Sequence, residues 1–174
     1  MGMLATLMNA LALFSFLDRN HVVSQVFSAR GMPGIVKDYD KNEALSALTG
    51  EKVGIFAGGT GNPFFTTDTA ACLRAIELEC DLVVKATNVD GVFSSDPNTD
   101  KSAEMYNSIS FEEVIKRDLR VMDMAAILLC RDHEMPIVVC SIKSEGNLLK
   151  AAHNQALLNP VSYTHLTLPT KRIV

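Results

Sequence analysis

The sequence predicts an α/β fold built on a mainly parallel sheet. Short apolar, β-favouring runs alternate along the 174 residues with stretches of helical periodicity. Such alternation is typical of helices that pack on the faces of a parallel sheet. With 48% hydrophobic and 21% charged residues, a chain of this length suits one domain with a sizeable core. A glycine-rich loop between one predicted strand and the next helix completes the pattern.

The first seventeen residues are strongly apolar and allow three interpretations: a signal peptide, a membrane helix or a buried core helix. No basic residue precedes Arg19, which argues against a signal peptide. The run is short for a membrane span and contains Thr6, Asn9 and Ser15. We therefore expect a helix buried in the core.

The next segments predict a strand over 21–28, a loop at 31–34 and a helix over 40–49 that begins with capping-type Asp40. A second strand is predicted over 53–57. We interpret His21 as structural, since no partner lies near it in sequence.

The stretch from residue 52 to 79 reads as strand, loop and helix. Gly58, Gly59, Gly61 and Pro63 interrupt regular structure. The capping-type residues Thr66, Thr67 and Asp68 follow directly. A loop that leads into a helix start gathers free N–H groups at the positive end of the helix dipole, which favours an anion such as phosphate. The alternative is an ordinary turn between a strand and a helix.

The second half predicts strands over 81–87 and 135–141 and helices over 110–116, 123–132 and 146–154. Ser110 and Glu113 form a capping-box pattern. Asp123 is either a helix cap or a site carboxylate, and the pattern favours the cap. The polar loop 88–97 follows a strand end, where α/β proteins bind ligands, although a plain surface loop has the same composition.

The charge and the cysteine content argue against several kinds of binding site and cross-link. The net charge of −4, without a long basic run, argues against a nucleic-acid groove. Cys72, Cys80, Cys130 and Cys140 are widely spaced in apolar patterns and form no CxxC motif. Buried, reduced thiols of a cytosolic protein fit this usage better than disulfides or zinc. We assign no dedicated metal site.

Three motifs, GTGNPFFTTD, AACLRAIE and KATNVDGVFSSDP, resemble those of the bacterial uridylate (UMP) kinases in the amino acid kinase family. The resemblance runs over residues 1–154. It implies a three-layer α/β/α sandwich and phosphoryl transfer from ATP to UMP, giving ADP and UDP in pyrimidine and CTP biosynthesis. It further implies a cytoplasmic, allosteric homohexamer that GTP activates and UTP inhibits. No nucleic acid or membrane partner is implied, and Mg²⁺ would arrive with ATP.

The resemblance also assigns roles to particular residues. UMP would contact an octet: Thr60, Gly61, Asn62, Pro63, Phe64, Phe65, Thr66 and Thr67. ATP would contact Thr87, Asn88, Phe93 and Asp96. Asp68 and Asp123 fall on positions whose carboxylates orient lysines or magnesium, since an ionised phosphate acceptor needs no general base. For the two phenylalanines, shaping a base pocket and packing in the core both stay open.

Two alternatives to UMP phosphorylation remain. One is another amino acid kinase, acting on a carboxylate or carbamate substrate. The other is a non-catalytic protein of the same fold that binds and stores a nucleotide or oxyanion. The TGNPFFTTD sequence argues against the first, and phosphoryl transfer by a complete version would argue against the second.

The two ends of the chain depart from the resembled family. The family's N-terminal phosphate-binding loops are absent before Met1, so we expect residues 1–154 to be an incomplete domain that does not catalyse alone. Residues 155–174 match nothing expected of the family. From residue 161 the peptide VSYTHLTLPT is similar to the translation of a transposase sequencing adapter, and we interpret 161–174 as adapter read-through.

Overall fold

The computed structural model describes residues 2–143, 145–152 and 159–162. The chain divides into two compact units, Met1–Leu78 and Glu79–Val174. The first unit contains α1 (Gly2–Arg19), β1 (Ser24–Ser28), α2 (Lys41–Thr49), β2 (Val53–Ala57) and α3 (Thr67–Glu77). The second contains β3 (Val83–Thr87), β4 (Ile109–Ser110), α4 (Phe111–Lys116), α5 (Met124–Asp132), β5 (Ile137–Ser141), α6 (Asn147–Ala152) and β6 (Asn159–Ser162).

In the first unit, β1 and β2 pair in parallel and in step, from Ser24 opposite Val53 to Ser28 opposite Ala57. Both strands therefore end at the same edge of their sheet. Their inward residues join two residues of α1 in a small apolar core, formed by Leu7, Ala10, Ile55 and Ala57. Burial of this apolar surface stabilises the sheet edge from which the glycine loop departs.

The expectation that α1 is a buried helix was wrong for most of its surface. Only Leu7 and Ala10 are buried. Along its length, α1 exposes large apolar side chains: Met3, Leu4, Met8, Leu13, Phe14 and Phe16. The helix covers a two-stranded sheet, which can contact only one stripe of it.

The apolar surface of α1 raises again the question of a membrane span. Across the part of the chain that the structure describes, every helix is too short or too polar to cross a bilayer.

In the second unit, the described strands lie in the order β3-β5-β6-β4. The β3–β5 and β4–β6 pairs are parallel, and β5–β6 is antiparallel. The prediction of a mainly parallel α/β fold is thus confirmed. Short β4 and β6 were not predicted from the sequence. The most deeply buried side chains include Phe111, Val114, Ile127 and Ile137, which come from α4, α5 and β5.

Four helices begin where the capping residues predicted. Asp40 accepts from the Glu43 amide at 2.9 Å and Thr66 from the Asp68 amide at 3.1 Å. Ser110 accepts from the Glu113 amide at 3.2 Å, and Asp123 from the Ala126 amide at 3.1 Å. The preference for Asp123 as a helix cap is therefore confirmed. Each bond satisfies an N–H group that the first helical turn leaves unpaired.

Several element ends differ from the predicted ones. β1 begins at Ser24 rather than residue 21, because His21 takes a positive φ of 60° and the Val22 amide turns back to the Leu17 carbonyl. β3 and β5 are also shorter than predicted. Residues 153–154 of the last predicted helix and 163–174 of the proposed adapter segment lie outside the described residues.

Candidate active site

The loop after β2 is shaped by glycines in the left-handed region. Gly58, Gly59 and Gly61 have φ values of 79°, 62° and 78°. A Cβ atom on Gly61 would lie 3.3 Å from both the Cβ and the carbonyl oxygen of Ala29. At Gly61 the positive φ and this close approach together favour glycine over any other residue.

Phe64, in the same loop, is exposed and has a φ of 70°. This conformation is unfavourable for a bulky residue, and such outliers concentrate at ligand-binding sites. Phe64 is 102% exposed and Phe65 is 55% exposed, so the core-packing interpretation of these two rings is wrong. Their apolar faces are available to a ligand.

The backbone amides of the loop fall into two groups. Those of Gly58, Gly61 and Asn62 are already bonded, to Thr6 Oγ1 at 2.9 Å, to the Gly58 carbonyl at 3.1 Å and to Thr60 Oγ1 at 3.2 Å. Another set has no acceptor among the described residues: the amides of Gly59, Thr60, Phe64, Phe65 and Thr67. Unpaired N–H groups between a strand end and a helix start form an anion-binding site.

The two predicted site carboxylates occupy helix starts in different units. Asp68 lies in the first turn of α3, directly after the residues of the predicted octet. Asp123 caps α5.

A cavity of about 570 Å³ lies in the second unit, within the size range of small-molecule sites. Its walls are Lys85 and Thr87 of β3, Val139 of β5, most of the loop 89–97 and the segment 117–121. Three of the four predicted ATP contacts line it, namely Thr87, Phe93 and Asp96. Asn88 does not belong to its lining.

Sequence reasoning missed one wall of this cavity. The segment 117–121 follows α4 and brings Arg117 and Arg120 to the same cavity as Lys85. Two arginines spaced three apart between helices were the available signal, but an exposed turn has the same composition.

A second concavity, of about 640 Å³, lies along residues 31–38. It is bounded by that one loop and contains none of the predicted site residues. We therefore place one candidate binding region at the glycine loop of the first unit and another at the 570 Å³ cavity of the second unit.

Within the described ranges, no three His, Cys, Asp or Glu side chains are grouped so that they could hold a metal ion. All four cysteines are buried thiols. Burial raises the pKa of Cys80 to about 11 and also raises that of Cys140, so both stay as neutral, weakly reactive thiols.

A strand-to-helix loop with unpaired amides and a separate loop-walled cavity on an α/β fold are features typical of the class of proteins that bind phosphorylated ligands. Residues 1–141 match the sequence model of the amino acid kinase family. This match covers most of the chain, and the chain belongs to that family.

Known relatives narrow the similarity further. The chain is 51% identical over 156 residues to a uridylate kinase of Pseudomonas syringae pv. syringae strain B728a, covering 90% of this chain and 63% of the relative. It is 52% identical over 149 residues to a uridylate kinase of Stutzerimonas stutzeri strain A1501, covering 86% and 60%. The chain thus spans less than two thirds of these relatives' length.

Solved structures agree with this likeness. The UMP kinase from Bacillus anthracis superposes with a TM-score of 0.90 at 32% identity, over 94% of this chain and 68% of that structure. The UMP kinase from Ureaplasma parvum gives a TM-score of 0.86 at 34% identity, over 92% and 68%.

Proposed function

We propose that this chain is part of a UMP kinase, which transfers the γ-phosphoryl group of ATP to UMP and yields ADP and UDP. One observation carries the proposal: unpaired amides and two exposed phenylalanines lie together in the loop that leads into α3. The amides suit the UMP phosphate, and the rings suit its base. The names of the similar relatives support the same substrate.

In this proposal the glycine loop and the cavity bind different substrates. The loop 60–67 binds the acceptor, and the 570 Å³ cavity, lined by Thr87, Phe93 and Asp96, binds ATP. Phosphoryl transfer depends on positioning and charge stabilisation more than on covalent chemistry, so an acceptor loop and a donor cavity are its main requirements. Mg²⁺ would arrive with ATP and would supply charge stabilisation during phosphoryl transfer.

The wider properties implied by the family are part of the same proposal. They are a cytoplasmic homohexamer, activation by GTP, inhibition by UTP and a role in pyrimidine nucleotide synthesis. The residue assignments also remain proposals: the octet 60–67 for UMP, Asn88 with the three cavity residues for ATP, and Asp68 and Asp123 as carboxylates that orient cations.

Calorimetric titration of the 174-residue chain with UMP and with uridine tests the acceptor site. Because the unpaired backbone amides of the loop would donate hydrogen bonds to the phosphate, which uridine lacks, we expect UMP to bind at least about tenfold more tightly than uridine. Replacing Gly61 by Ala should weaken UMP binding about tenfold, since alanine at positive φ costs about 1–2 kcal/mol and the loop must shift.

Gly34→Ala is the matched control for Gly61→Ala. Gly34 has a φ of 79° and no neighbour within 4 Å of an added Cβ, and it lies outside the candidate site. It should lower stability to a similar degree and leave UMP affinity unchanged. Equal affinities for UMP and uridine, or equal effects of the two alanines on UMP binding, would contradict the acceptor assignment.

The choice of acceptor needs a turnover assay. A chain extended with the part of its relatives that it does not cover should form ADP in the presence of UMP, and not with aspartate, glutamate or carbamate. Preference for one of those three would favour another amino acid kinase. UMP binding without any transfer would favour a storage protein.

A further inference from the structure

The loop that carries Phe93 and Asp96 returns alongside itself as a short antiparallel pair. The Ser94 amide donates to the Glu104 carbonyl at 2.9 Å, and the Tyr106 amide donates to the Val92 carbonyl at 2.8 Å. Tyr106 is therefore fixed to the cavity-lining residue Val92, although its own side chain does not line the cavity.

The side chain of Tyr106 reaches the segment 117–121. Arg117 Nη1 donates to the Tyr106 hydroxyl at 2.6 Å, and the guanidinium carbon lies 5.6 Å from the centroid of the tyrosine ring. Arg117 Nε also pairs with the Glu113 carboxylate, one turn back in α4. Glu113 thus orients the guanidinium toward Tyr106.

Arg117 is itself the first residue of the second cavity wall. It caps the C-terminus of α4, and the chain then turns through Asp118, whose φ is 50°. The Leu119 amide donates to the Val114 carbonyl at 3.0 Å, which fixes this turn to buried α4. The Tyr106–Arg117 contact therefore joins a loop to a wall that is already anchored.

Building on the proposed function, we propose that Tyr106 and Arg117 are positioning residues for the phosphoryl donor nucleotide. Their contact holds the loop bearing Phe93 and Asp96 at a set distance from the segment 117–121, and so fixes the width of the cavity between them.

The solvent exposure of Arg117 distinguishes a positioning role of the Tyr106–Arg117 contact from a role in overall stability. The Arg117 side chain is 50% exposed, and ion pairs and hydrogen bonds at such positions contribute little to overall stability. The same contact still restricts the loop, because it ties the loop to the opposite wall of the cavity. Its removal should therefore affect nucleotide affinity more than thermal stability.

Three variants test this inference: Tyr106→Phe, Arg117→Lys and the double change. Phenylalanine keeps the ring and removes the hydroxyl, and lysine cannot bond Glu113 and Tyr106 in the fork geometry of arginine. Titration with a fluorescent ATP analogue should show about three- to tenfold weaker binding for each single variant, the usual effect of one lost hydrogen bond. The double variant should be no weaker than the worse single one, since both changes break one contact.

Limited trypsin digestion gives a readout that does not need the nucleotide. Lys101 is exposed within the same loop. If the contact restrains the loop, cleavage after Lys101 should be faster in each variant than in the unaltered chain, and Arg117→Lys leaves the trypsin sites equivalent.

The matched control is Asp132→Ala, which removes the acceptor of an arginine–aspartate pair in the same unit, outside the cavity lining. It should change neither ATP affinity nor cleavage, and UMP affinity should be the same in all variants. Unchanged ATP affinity in the Tyr106 and Arg117 variants would overturn the inference and leave the proposed function standing. An unaltered chain that binds UMP and no ATP would overturn the donor site together with the inference.

Discussion

Tyr39 shows how one buried group can set the alkaline limit of stability. Its ring packs edge-on to Phe27 and Phe56, and the guanidinium carbon of Arg74 lies 3.8 Å from its centroid. The hydroxyl is buried beside the Glu77 carboxylate and the Arg74 guanidinium. Burial, together with the nearby Glu77 carboxylate, raises the pKa of Tyr39 to about 12.

A raised pKa on this acid makes stability fall at high pH. An unfolded tyrosine ionises near pH 10, so the contribution of Tyr39 is fully present below that pH and is lost as pH rises toward about 12. Urea unfolding between pH 9 and 12 should show this loss, and Tyr39→Phe should remove it. Absorbance at 295 nm that shows all folded-state tyrosines ionising together near pH 10 would contradict the prediction.

At the scale of the element, substitutions at Asp123 can distinguish a helix-capping role of this residue from a role that needs its negative charge. Its carboxylate accepts from the Ala126 amide at 3.1 Å. Asparagine caps helices about as well as aspartate, whereas alanine does not. We therefore expect Asp123→Ala to lower the free energy of unfolding by about 1 kcal/mol and Asp123→Asn to leave it nearly unchanged.

Urea unfolding of the two variants checks the capping prediction, and equal losses in both would contradict it. The same pair addresses the family-implied role. If an extended chain carrying Asp123→Asn remains stable and still phosphorylates UMP, capping is sufficient. A stable variant without transfer would show that the carboxylate charge acts in the reaction.

The helix starts and the main strands were predictable because their signals are local. A capping side chain bonds an amide two or three residues away, as Asp40 and Ser110 do, so the sequence window contains both partners. The glycine loop was predictable for the same reason. Its positive φ values at Gly58, Gly59 and Gly61 follow from residue type.

Features that depend on distant contacts were not predictable in this way. Apolar periodicity indicates that α1 buries a face, but not that its other apolar face stays exposed, because that depends on how much sheet lies beneath it. β6 forms only through pairing with β5 and β4. The contact between Arg117 and Tyr106 likewise joins two residues that lie eleven positions apart.

At the scale of the whole molecule, α1 leaves exposed apolar residues that the described part of the first unit does not cover. Contiguous exposed apolar residues such as Leu4, Met8 and Phe16 are typical of interaction surfaces. The homo-oligomer is part of the proposed function, and we propose the exposed apolar residues of α1 as one contact surface for it. We expect Met8→Lys to shift the chain toward monomer in sedimentation velocity, because a buried lysine charge opposes the contact.

Leu149→Lys is the matched control for this prediction, since Leu149 is also an exposed apolar residue but lies on α6 in the second unit. It should leave the sedimentation coefficient of the assembly unchanged. Identical sedimentation of the unaltered chain and Met8→Lys would exclude α1 as the assembly surface.

The hydroxyl of Thr6 donates to the Met3 carbonyl at 2.7 Å and accepts from the Gly58 amide at 2.9 Å. The helix that we predict to contact a second copy therefore also binds the Gly58 amide of the glycine loop, through Thr6. If α1 moves when copies associate, the hydrogen bond between Thr6 and the Gly58 amide would move the glycine loop with it. Subunit association and acceptor binding would then be linked equilibria, each strengthening or weakening the other by the same factor.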